Sequence, residues 1–453
     1  MSAATSTAKR PTKAFVWGYN NTGELGLGHA ARIATPAPAL LPAGIVDLQG
    51  GASFSVALTV AGEVYTWGGN QHGQLGDGTT MSRREPRRVR LPGGAKAAAI
   101  AAGTDHVLVL TTHRRVVAWG RNHRGQLGFG HTDDRSTPQL ITLEPVKKVA
   151  AGDGISVAIS MADRLICWGR NHAGQLGLGD SASRAITKPR LATQVETRVI
   201  AVDAGFRHLV ALTWSGQILM LGTDPSGRAL TRRLQLKAAW GLVQAISAGE
   251  DHTVALTNRG TVLAWGANDL GQLGVAGAAY RKSPVAVRLA ESKGRAVEVR
   301  AGHRHTLVRT NRHEVFAWGD GRFGAVGTGR AAALASQPTP ARVPRLSGVT
   351  SAVLAGGGYT SAILVDRGPA VTLSLKPDRT TTKQGSPVRF DVRLLDAFGT
   401  DLGRAPGTSL SAPGATVKEL TVTPTAVGSL VVIARSGRLT GRATLKVTKG
   451  GKR

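Results

Sequence analysis

The chain of 453 residues carries a formal net charge of +29, and 59 of its residues are glycine. Such a charge favours acidic partners, and the length is enough for two or three domains. The single cysteine, Cys167, excludes an intramolecular disulfide, and no apolar run reaches the roughly 18 residues of a membrane span, so we expect no transmembrane helix.

The first residues form a short basic segment. We predict a flexible arm over residues 1–12, which includes Lys9 and Arg10. The stretch MSAATSTAKRPTKAF has no apolar core, so we expect no signal peptide and predict a cytoplasmic protein.

A Trp-Gly dipeptide returns along the chain at intervals of about 50 residues. Its tryptophans are Trp17, Trp67, Trp119, Trp168, Trp265 and Trp318. A seventh copy is degenerate, because Leu221 in GQILMLGTD takes the place of the tryptophan. A glycine-rich loop follows, as in GGNQHGQLGDGT, GRNHRGQLGFGH, GRNHAGQLGLGD and GANDLGQLGVAG. A binding loop is needed once, so a loop that recurs at a fixed interval indicates a structural repeat.

Each repeat has the pattern of about four short strands. HTVALTNRGTVLAWG predicts two strands around an NRG turn, and segments such as EPRRVRL and SPVAVRL, with proline near the start, predict an outer edge strand. Residues 13–367 are therefore predicted to form an all-β, seven-bladed β-propeller. KAFVWG at the start and VLAGGGYTSAILV at the end are half-units, and we expect the first strand to join the last three in a closing blade.

A glycine precedes each hairpin, and in four copies histidine follows three residues later. The glycines are Gly51, Gly103, Gly152, Gly205, Gly249, Gly302 and Gly356, and the histidines are His106, His208, His252 and His305. Phe54, Ile155 and Tyr359 fill the histidine position in the other copies, which favours a packing site over a metal site. His123 and His172 share a loop position and are predicted to make local hydrogen bonds.

The compound pattern AGxxHxxALTxxGxVxxWGxNxxGQLG resembles the regulator of chromosome condensation repeat. The resemblance covers about residues 13–367 and implies the propeller fold. The family's founding member is a guanine-nucleotide exchange factor for a small nuclear GTPase and also docks on nucleosomes, and it uses a projecting β-wedge to open the nucleotide site. We find no insertion that corresponds to this wedge, and many members of the family are interaction platforms.

A second domain follows the repeats. Residues 370–448 contain the alternating segments AVTLSLKP, SPVRFDVRLLD, ATVKELTV, GSLVVIARSG and GRATLKVTK. This spacing predicts a small immunoglobulin-like β-sandwich, and it resembles bacterial immunoglobulin-like modules. Residues 449–453 are predicted to be a disordered basic tail.

Clusters of basic residues are the main functional signal. The candidate contacts for an acidic partner are Arg83, Arg84, Arg87, Arg88, Arg121, Arg124, Arg232, Arg233, Arg281 and Lys282. Arginine binds carboxylate or phosphate bidentately, but the same charges also protect the edge strands of a propeller. Both interpretations remain open at the level of the sequence.

Motifs for catalysis are absent. The glycine-rich loops have no Lys-Ser or Lys-Thr in the position that a P-loop requires, and there is no GxSxG elbow. We therefore predict no catalytic, cofactor-binding or metal-binding residues, and no enzyme.

Three functions are consistent with the sequence. The first is a monomeric, non-enzymatic scaffold that binds an unidentified, acidic protein through its blade loops. The alternatives are non-specific association with nucleic acid through the arginines, and nucleotide exchange on a small GTPase.

Overall fold

The computed structural model describes the following residues: 13–42, 44–179, 184–230, 232–234, 236–329, 336–344, 346, 352–365, 370–396, 401–404, 409–413, 415–436 and 439–449. The predicted arm at 1–12 and the predicted tail, apart from Lys449, lie outside this part. The chain divides into two compact units, Met1–Ser347 with Ser351–Asp366, and Gly348–Thr350 with Arg367–Arg453. The finer domain boundaries given above remain predictions.

Seven four-stranded antiparallel sheets make up the first unit, which confirms the seven-bladed β-propeller. From the inner to the outer strand, blade 1 comprises Ala352–Gly356, Thr360–Val365, Lys13–Gly18 and Ile33–Leu40; blade 2 comprises Ile45–Gly50, Phe54–Thr59, Val64–Gly68 and Arg83–Val89; blade 3 comprises Ala97–Ala102, His106–Thr111, Val116–Gly120 and Arg135–Leu140. Blade 4 comprises Val146–Ala151, Ile155–Ser160, Leu165–Arg170 and Ala185–Leu191; blade 5 comprises Val199–Ala204, His208–Thr213, Ile218–Gly222 and Arg232–Leu234. Blade 6 comprises Val243–Ala248, His252–Thr257, Val262–Ala267 and Tyr280–Val287; blade 7 comprises Ala296–Ala301, His305–Thr310, Val315–Asp320 and Ser336–Arg342.

The closing blade differs from the predicted one. Two N-terminal strands join two C-terminal strands, with Lys13–Gly18 paired to Thr360–Val365, so the expected arrangement of one strand with three is wrong. The reason is that Ile33–Leu40 follows a glycine-rich loop and therefore takes the outer position, as the equivalent segment does in every blade. Opening the ring would break the Lys13–Gly18 ladder and expose two strand edges.

The second strand of each blade lies between its two neighbouring blades. All six residues of FSVALT, HVLVLT, HLVALT and HTVALT are buried, whereas the outer strand RREPRRV buries only Val89. Burial on both faces explains why the centre of each of these strands, such as VAL in FSVALT and VLVL in HVLVLT, is a continuous apolar run and does not alternate with polar residues. The outer strands carry proline and arginine, as predicted for exposed edges.

Backbone hydrogen bonds link the loops between the inner and second strands into a closed circle. Each bond runs from an amide of one loop to a carbonyl of the next loop. The donor–acceptor pairs are Ala52 to Thr104, Thr104 to Gly152, Asp153 to Gly205, Phe206 to Glu250, Glu250 to His303, His303 to Gly357 and Gly358 to Gly51. All seven loops therefore lie at the same end of the propeller, next to one another around its axis.

Each Trp-Gly tryptophan is buried between blades, and five of the six, all except Trp265, bond to the glycine-rich loop of the preceding blade. Nε1 of Trp168 donates to the carbonyl of Gln126 at 2.8 Å, and Trp119 donates to the carbonyl of Gln74 at 3.0 Å. The leucine of GQLG is buried beside it, as in Leu75. The residue after this leucine must be glycine, because a Cβ at Gly76 would lie 2.6 Å from Nε1 of Trp119.

The histidine position is buried, and it also bonds to the next blade. Nε2 of His106 lies 2.8 Å from Oγ of Ser156, and equivalent pairs are His208 with Thr253, His252 with Thr306 and His305 with Ser361. In blade 1 this position is held by Thr360, not by Tyr359, because the amide of Gly357 bonds to the carbonyl of Thr360 as that of Gly103 bonds to His106. The landmark glycine of that copy is thus Gly357 instead of Gly356.

The degenerate blade 5 interrupts this pattern of bonds. Leu221 is buried at the tryptophan position but has no donor for the preceding loop. On the next interface, Nε1 of Trp265 is buried and has no hydrogen-bond partner among the described residues. The loop that should accept this hydrogen bond has the sequence GTDPSGRAL in blade 5 and lacks the GQLG turn.

The second unit has two sheets around one apolar core. One sheet contains Ala370–Pro377, Val388–Asp396, Asp401–Arg404, Ala415–Lys418 and Thr421–Pro424, and the other contains Thr381–Lys383, Ser409–Ser411, Gly428–Ser436 and Leu439–Thr448. Val388, Phe390, Val432 and Leu445 are buried in the core. ATVKELTV is a hairpin that turns at Glu419, with φ of 50°, rather than a single strand. The immunoglobulin-like assignment of this unit stays a prediction.

Candidate functional site

The loops of the propeller are concentrated on one face. The inner loops and the glycine-rich loops both lie at the same end of their antiparallel blades, and we call this end the loop face. The opposite end, formed by the turns between the second and third strands and by the connections between blades, is the turn face. Loops on a rigid scaffold are the usual place for binding residues.

The four glycine-rich loops that contain GQLG share one internal framework. Oδ1 of Asn70 accepts the amide of Leu75 at 2.9 Å, while its Nδ2 donates to carbonyls of the same loop. Oε1 of Gln74 accepts the amide of His72 at 2.9 Å. Asn122 and Gln126 make the same bonds in blade 3. The asparagine and glutamine are thus structural, and the residues between them are left to vary at the surface.

A basic–aromatic cluster occupies the loop face of blades 3 to 5. The cluster consists of Arg121, His123, Arg124, Arg170, His172, Phe206 and Arg207. The guanidinium carbon of Arg170 lies 4.5 Å from the ring centroid of Phe206, and that of Arg207 lies 5.2 Å from it. The ring of His172 meets Phe206 edge to face at 6.4 Å. Stacking of this kind holds guanidinium groups flat and leaves their edges available for hydrogen bonds.

Carboxylates pair with most of these arginines. Arg170 Nη1 is 2.7 Å from Asp153 Oδ2, and Arg121 Nη1 is 3.2 Å from Asp105 Oδ2. Arg207 contacts Asp251 only at 3.9 Å, and Arg124 is exposed. Among the described residues Arg124 has no carboxylate within salt-bridge distance, so its guanidinium is the charge of the cluster that is left for a partner.

The two histidines of the cluster both have lowered pKa values. Desolvation, together with the charges of Arg121 and Arg124, lowers the pKa of His123 to about 4. Desolvation, followed by the charges of Arg170 and Arg124, also lowers the pKa of His172. Both imidazoles are neutral at pH 7. Among the described residues, the side chains of His123 and His172 make no local hydrogen bond of the kind predicted, and His172 contacts Phe206.

A second group of rings lies on the loop face of blades 7 and 1. Phe323 contacts Tyr359 at 4.6 Å and Tyr19 at 5.4 Å, and His303 meets Tyr359 at 5.5 Å. Arg304 pairs with Glu250 beside them. These half-buried aromatic side chains offer apolar contact area at a low cost in conformational entropy.

Between the two groups, a central cavity of about 250 Å³ runs along the inner strands. Phe206, Glu250 and His303 line its mouth, and the inner strands contribute mostly glycine and alanine to its wall. Inside, Asp203 accepts the amide of Ala248 at 2.9 Å, and burial raises the pKa of Asp203. Asp203 thus joins two inner strands, which is a structural role.

Comparison with known proteins identifies the fold family. Residues 142–373 match the RCC1-like domain, and residues 13–58, 61–110 and 115–159 match the regulator of chromosome condensation (RCC1) repeat. The ultraviolet-B receptor UVR8 of Arabidopsis thaliana is 32% identical over 403 residues, which cover 82% of this chain and 87% of the receptor. The chain belongs to the RCC1 family.

Other similarities concern parts of proteins or the fold alone. The human E3 ubiquitin-protein ligase HERC2 is 36% identical over 135 residues, 29% of this chain and 3% of the ligase. The solved structure of Prp20p from Saccharomyces cerevisiae matches with a TM-score of 0.68 at 22% identity, over 79% of this chain and 92% of that chain. Human WBSCR16 gives the same TM-score and identity over 79% of this chain and 99% of that chain.

The RCC1 propeller places the predicted contact residues on four blades. Arg121 and Arg124 lie on the loop face, in the basic–aromatic cluster. The other eight lie on outer strands: Arg83, Arg84, Arg87 and Arg88 in blade 2, Arg232 and Arg233 in blade 5, and Arg281 and Lys282 in blade 6.

Several arginines of the outer strands have local partners. Arg83 pairs with Asp77 at 3.1 Å, Arg88 pairs with Glu63 at 3.2 Å, and Arg281 donates to the carbonyl of Ala276 at 3.0 Å. Arg84 and Arg87 are exposed. The outer strands therefore present a basic circumference in which part of the charge is neutralised internally.

Three members of the cluster were missed by the sequence analysis. Arg170 stands at the loop position of Arg121, so the alignment of the repeats contained a signal for it. Phe206 and Arg207 stand in the inner loop of blade 5, where neighbouring blades have other residues. Nothing in a single repeat shows that these two loops meet.

No metal or membrane signal emerges from the part of the chain that is described. Within it, no group of three or more His, Cys, Asp or Glu side chains is placed to hold a metal ion. Cys167 is fully buried, and burial raises the pKa of its thiol. Over the same residues, no helix combines the length and the apolar character needed to cross a membrane.

Proposed function

We propose that the protein is a non-enzymatic scaffold that binds an acidic protein partner through its loop face. The observation that carries this proposal is the basic–aromatic cluster, where Phe206 lies between Arg170 and Arg207 at the mouth of the central cavity. Aromatic and arginine side chains on a rigid face are the residues that dominate binding energy in protein interfaces.

The framework of the loops supports the same proposal. Because Asn70, Gln74 and their equivalents fix the backbone, the side chains between them can differ from blade to blade without loss of the fold. The solved structure of Prp20p is described with binding properties to Gsp1p and histones, and another structure shows Kap60 bound to yeast RCC1. We extend to this chain only the general use of the propeller as a protein-binding surface.

Site-specific photo-crosslinking in cell extract tests the proposal. A photoreactive amino acid at His172 should trap a protein partner, whereas the same amino acid at Arg87, on the outer strand of blade 2, should not. Arg124→Glu and Arg207→Glu should abolish the crosslink from His172. Equal crosslinking from both positions, or a crosslink that survives the charge reversals, would reject the loop face as the binding surface.

Non-specific association with nucleic acid is a second candidate. It is favoured by the exposed side chains of Arg84 and Arg87 on blade 2, next to the half-paired Arg88. Binding to random duplex DNA should then fall steeply with salt and should weaken in a variant with Arg83, Arg84, Arg87 and Arg88 changed to Ala. No binding at low salt would remove this candidate.

The exchange-factor alternative has no such feature to support it. Every strand described between residues 13 and 365 belongs to one of the seven blades, and no projecting wedge is present among them. The cytoplasmic location and the monomeric state remain predictions.

A further inference from the structure

A large apolar side chain is exposed on the turn face of blade 5. Trp214 is 68% exposed in the turn between the second and third strands, and Leu242 is 67% exposed in the connection to blade 6. The two are neighbours, because a Cβ placed at Gly216, in the same turn as Trp214, would lie 3.8 Å from Cδ2 of Leu242. Six of the other tryptophans are buried between blades, so Trp214 is not one of the packing tryptophans of the repeat.

The apolar surface continues into blade 4. The guanidinium carbon of Arg198 lies 4.9 Å from the ring centroid of Trp214, and Arg198 also bonds to Asp163. Asp163 closes the turn that carries Met161, which is 51% exposed. Met161, Arg198, Trp214 and Leu242 thus form one surface across blades 4 to 6, which we call the turn-face patch.

The charges around the patch are mainly positive. Asp163 is neutralised by Lys147 at 2.5 Å and by Arg198 on its other oxygen. Arg259 lies against Gly241, next to Leu242, and donates to the carbonyl of Ala239 at 2.9 Å. Lys237 is exposed near Trp240, while Glu196 is the carboxylate that remains on the connecting segments.

The fold does not require the apolar residues of the patch. The turn position of Trp214 is occupied by Asn258 in blade 6 and by Asn311 in blade 7, since each of these amides bonds to the connection in the same way. The position of Leu242 is occupied by Arg198 and Arg295 in the adjoining blades. Polar residues are therefore compatible with the same backbone geometry. Exposing the apolar surface of Trp214 and Leu242 to water is unfavourable, and the fold does not require it.

We propose that the turn-face patch is a docking site for an acidic amphipathic segment of another protein, whose apolar side chains cover Trp214 and Leu242. The apolar centre supplies the anchor, and Arg198, Lys237 and Arg259 pair with carboxylates around it. This surface lies opposite the loop face, so the protein can hold two partners at once. The proposal does not depend on the function proposed for the loop face.

Binding to a synthetic peptide tests the patch in the full-length protein. The probe is a fluorescein-labelled amphipathic helix with Leu on one face and Glu on the other, and two control peptides replace Glu by Lys or Leu by Ser. The Glu–Leu peptide should bind, both controls should fail, and Trp214→Asn should weaken binding at least about tenfold. Leu242→Arg should have a similar effect, since arginine is native at the equivalent position.

Val60→Asn is the matched control variant. Val60 stands at the same turn position in blade 2 and is 70% exposed, but it lies in a different part of the ring. Its substitution should leave peptide binding unchanged. A loss equal to that of Trp214→Asn, or equal binding of the Lys or Ser peptide, would overturn the proposal. Urea unfolding of each variant checks that all of them are equally folded.

Acrylamide quenching of tryptophan fluorescence gives an independent readout. The quenchable fraction should fall when the Glu–Leu peptide binds, and it should already be low in Trp214→Asn. If Trp214→Asn does not change the quenchable fraction of the peptide-free protein, Trp214 is already covered. A quenchable fraction that rises on dilution would show that a second copy covers the patch, and one that does not change on dilution would show that the chain covers it itself. Either result would overturn the docking of an external segment. Variants of Arg124 and Arg207 should not alter this peptide binding, which separates this test from that of the loop face.

Discussion

Nε2 of His106 lies 2.8 Å from Oγ of Ser156 across the interface of blades 3 and 4. Ser156 donates its own hydrogen to the carbonyl of Gln126 at 2.7 Å, so the imidazole must be the donor in the bond to Ser156. The two residues change together around the ring. Where Phe54 or Ile155 replaces the histidine, Val107 or Leu209 replaces the hydroxyl residue, and all of these side chains are buried.

The pair predicts a non-additive double-mutant cycle. Ser156→Val should destabilise the protein by about 1–3 kcal/mol, because it leaves the buried Nε2 hydrogen of His106 without an acceptor. His106→Phe alone should cost less, since Ser156 keeps its bond to Gln126. The double variant, which copies Phe54 and Val107, should recover most of the loss in urea unfolding experiments. Additive losses would show that the two residues act independently.

The buried histidines predict sensitivity to acid. Burial lowers the pKa of His106 and His252 to about 3 and that of His208 and His305 to about 4, whereas an unfolded chain binds these protons near pH 6.5. The unfolded state therefore holds more protons below pH 6.5, so stability is full above this pH and is lost as the pH falls towards 4. Linkage gives a loss of about 2 kcal/mol for each histidine at pH 5.

Urea midpoints between pH 7.5 and pH 4.5 check this expectation. The variant with both His106→Phe and Ser156→Val should lose less stability over this range than the native protein, because one of the four groups no longer titrates. A native protein whose midpoint does not change with pH would contradict the lowered pKa values.

The tryptophans of blades 4 and 6 predict different costs for the same substitution. Trp168→Phe removes a hydrogen bond to the carbonyl of Gln126, whereas Trp265→Phe removes an indole N–H that has no partner among the described residues. Trp265→Phe should therefore be the milder change by about 1 kcal/mol. Thermal unfolding of both variants measures the difference, and a reversed order would mean that Nε1 of Trp265 is satisfied in solution.

The glycine-rich loop predicts a strong effect of one methyl group. Gly76 has φ of 68°, and an added Cβ would lie 2.6 Å from Nε1 of Trp119. Gly174 has φ of 65°, but a Cβ there would meet nothing within 4 Å. Gly174→Ala should cost about 1 kcal/mol through its backbone conformation alone.

Gly76→Ala should cost at least about 2 kcal/mol, because it adds a clash with the buried indole to the same backbone strain. Equilibrium unfolding of the two variants under one set of conditions gives the comparison. Equal losses would show that the indole moves aside.

The sequence by itself determined the number of blades, the order of strands in a blade and the place of the buried leucines and tryptophans. These follow from a local pattern that is repeated seven times, and each copy carries its own turn and burial signals. The family resemblance added the same fold, and it rested on the same residues, from GQLG to Trp-Gly.

The tertiary structure decided what one repeat cannot contain. The closing blade takes two strands from each end because Lys13–Gly18 pairs with Thr360–Val365, a contact that forms only when the ring is complete. Phe206 becomes part of a surface only because the inner loop of blade 5 lies against Arg170 of blade 4. Trp214 and Leu242 are far apart in the repeat pattern, but the turn that carries Trp214 lies beside Leu242 on the turn face. Contacts between blades depend on the packing of whole sheets, and sequence periodicity describes only the sheet to which each residue belongs.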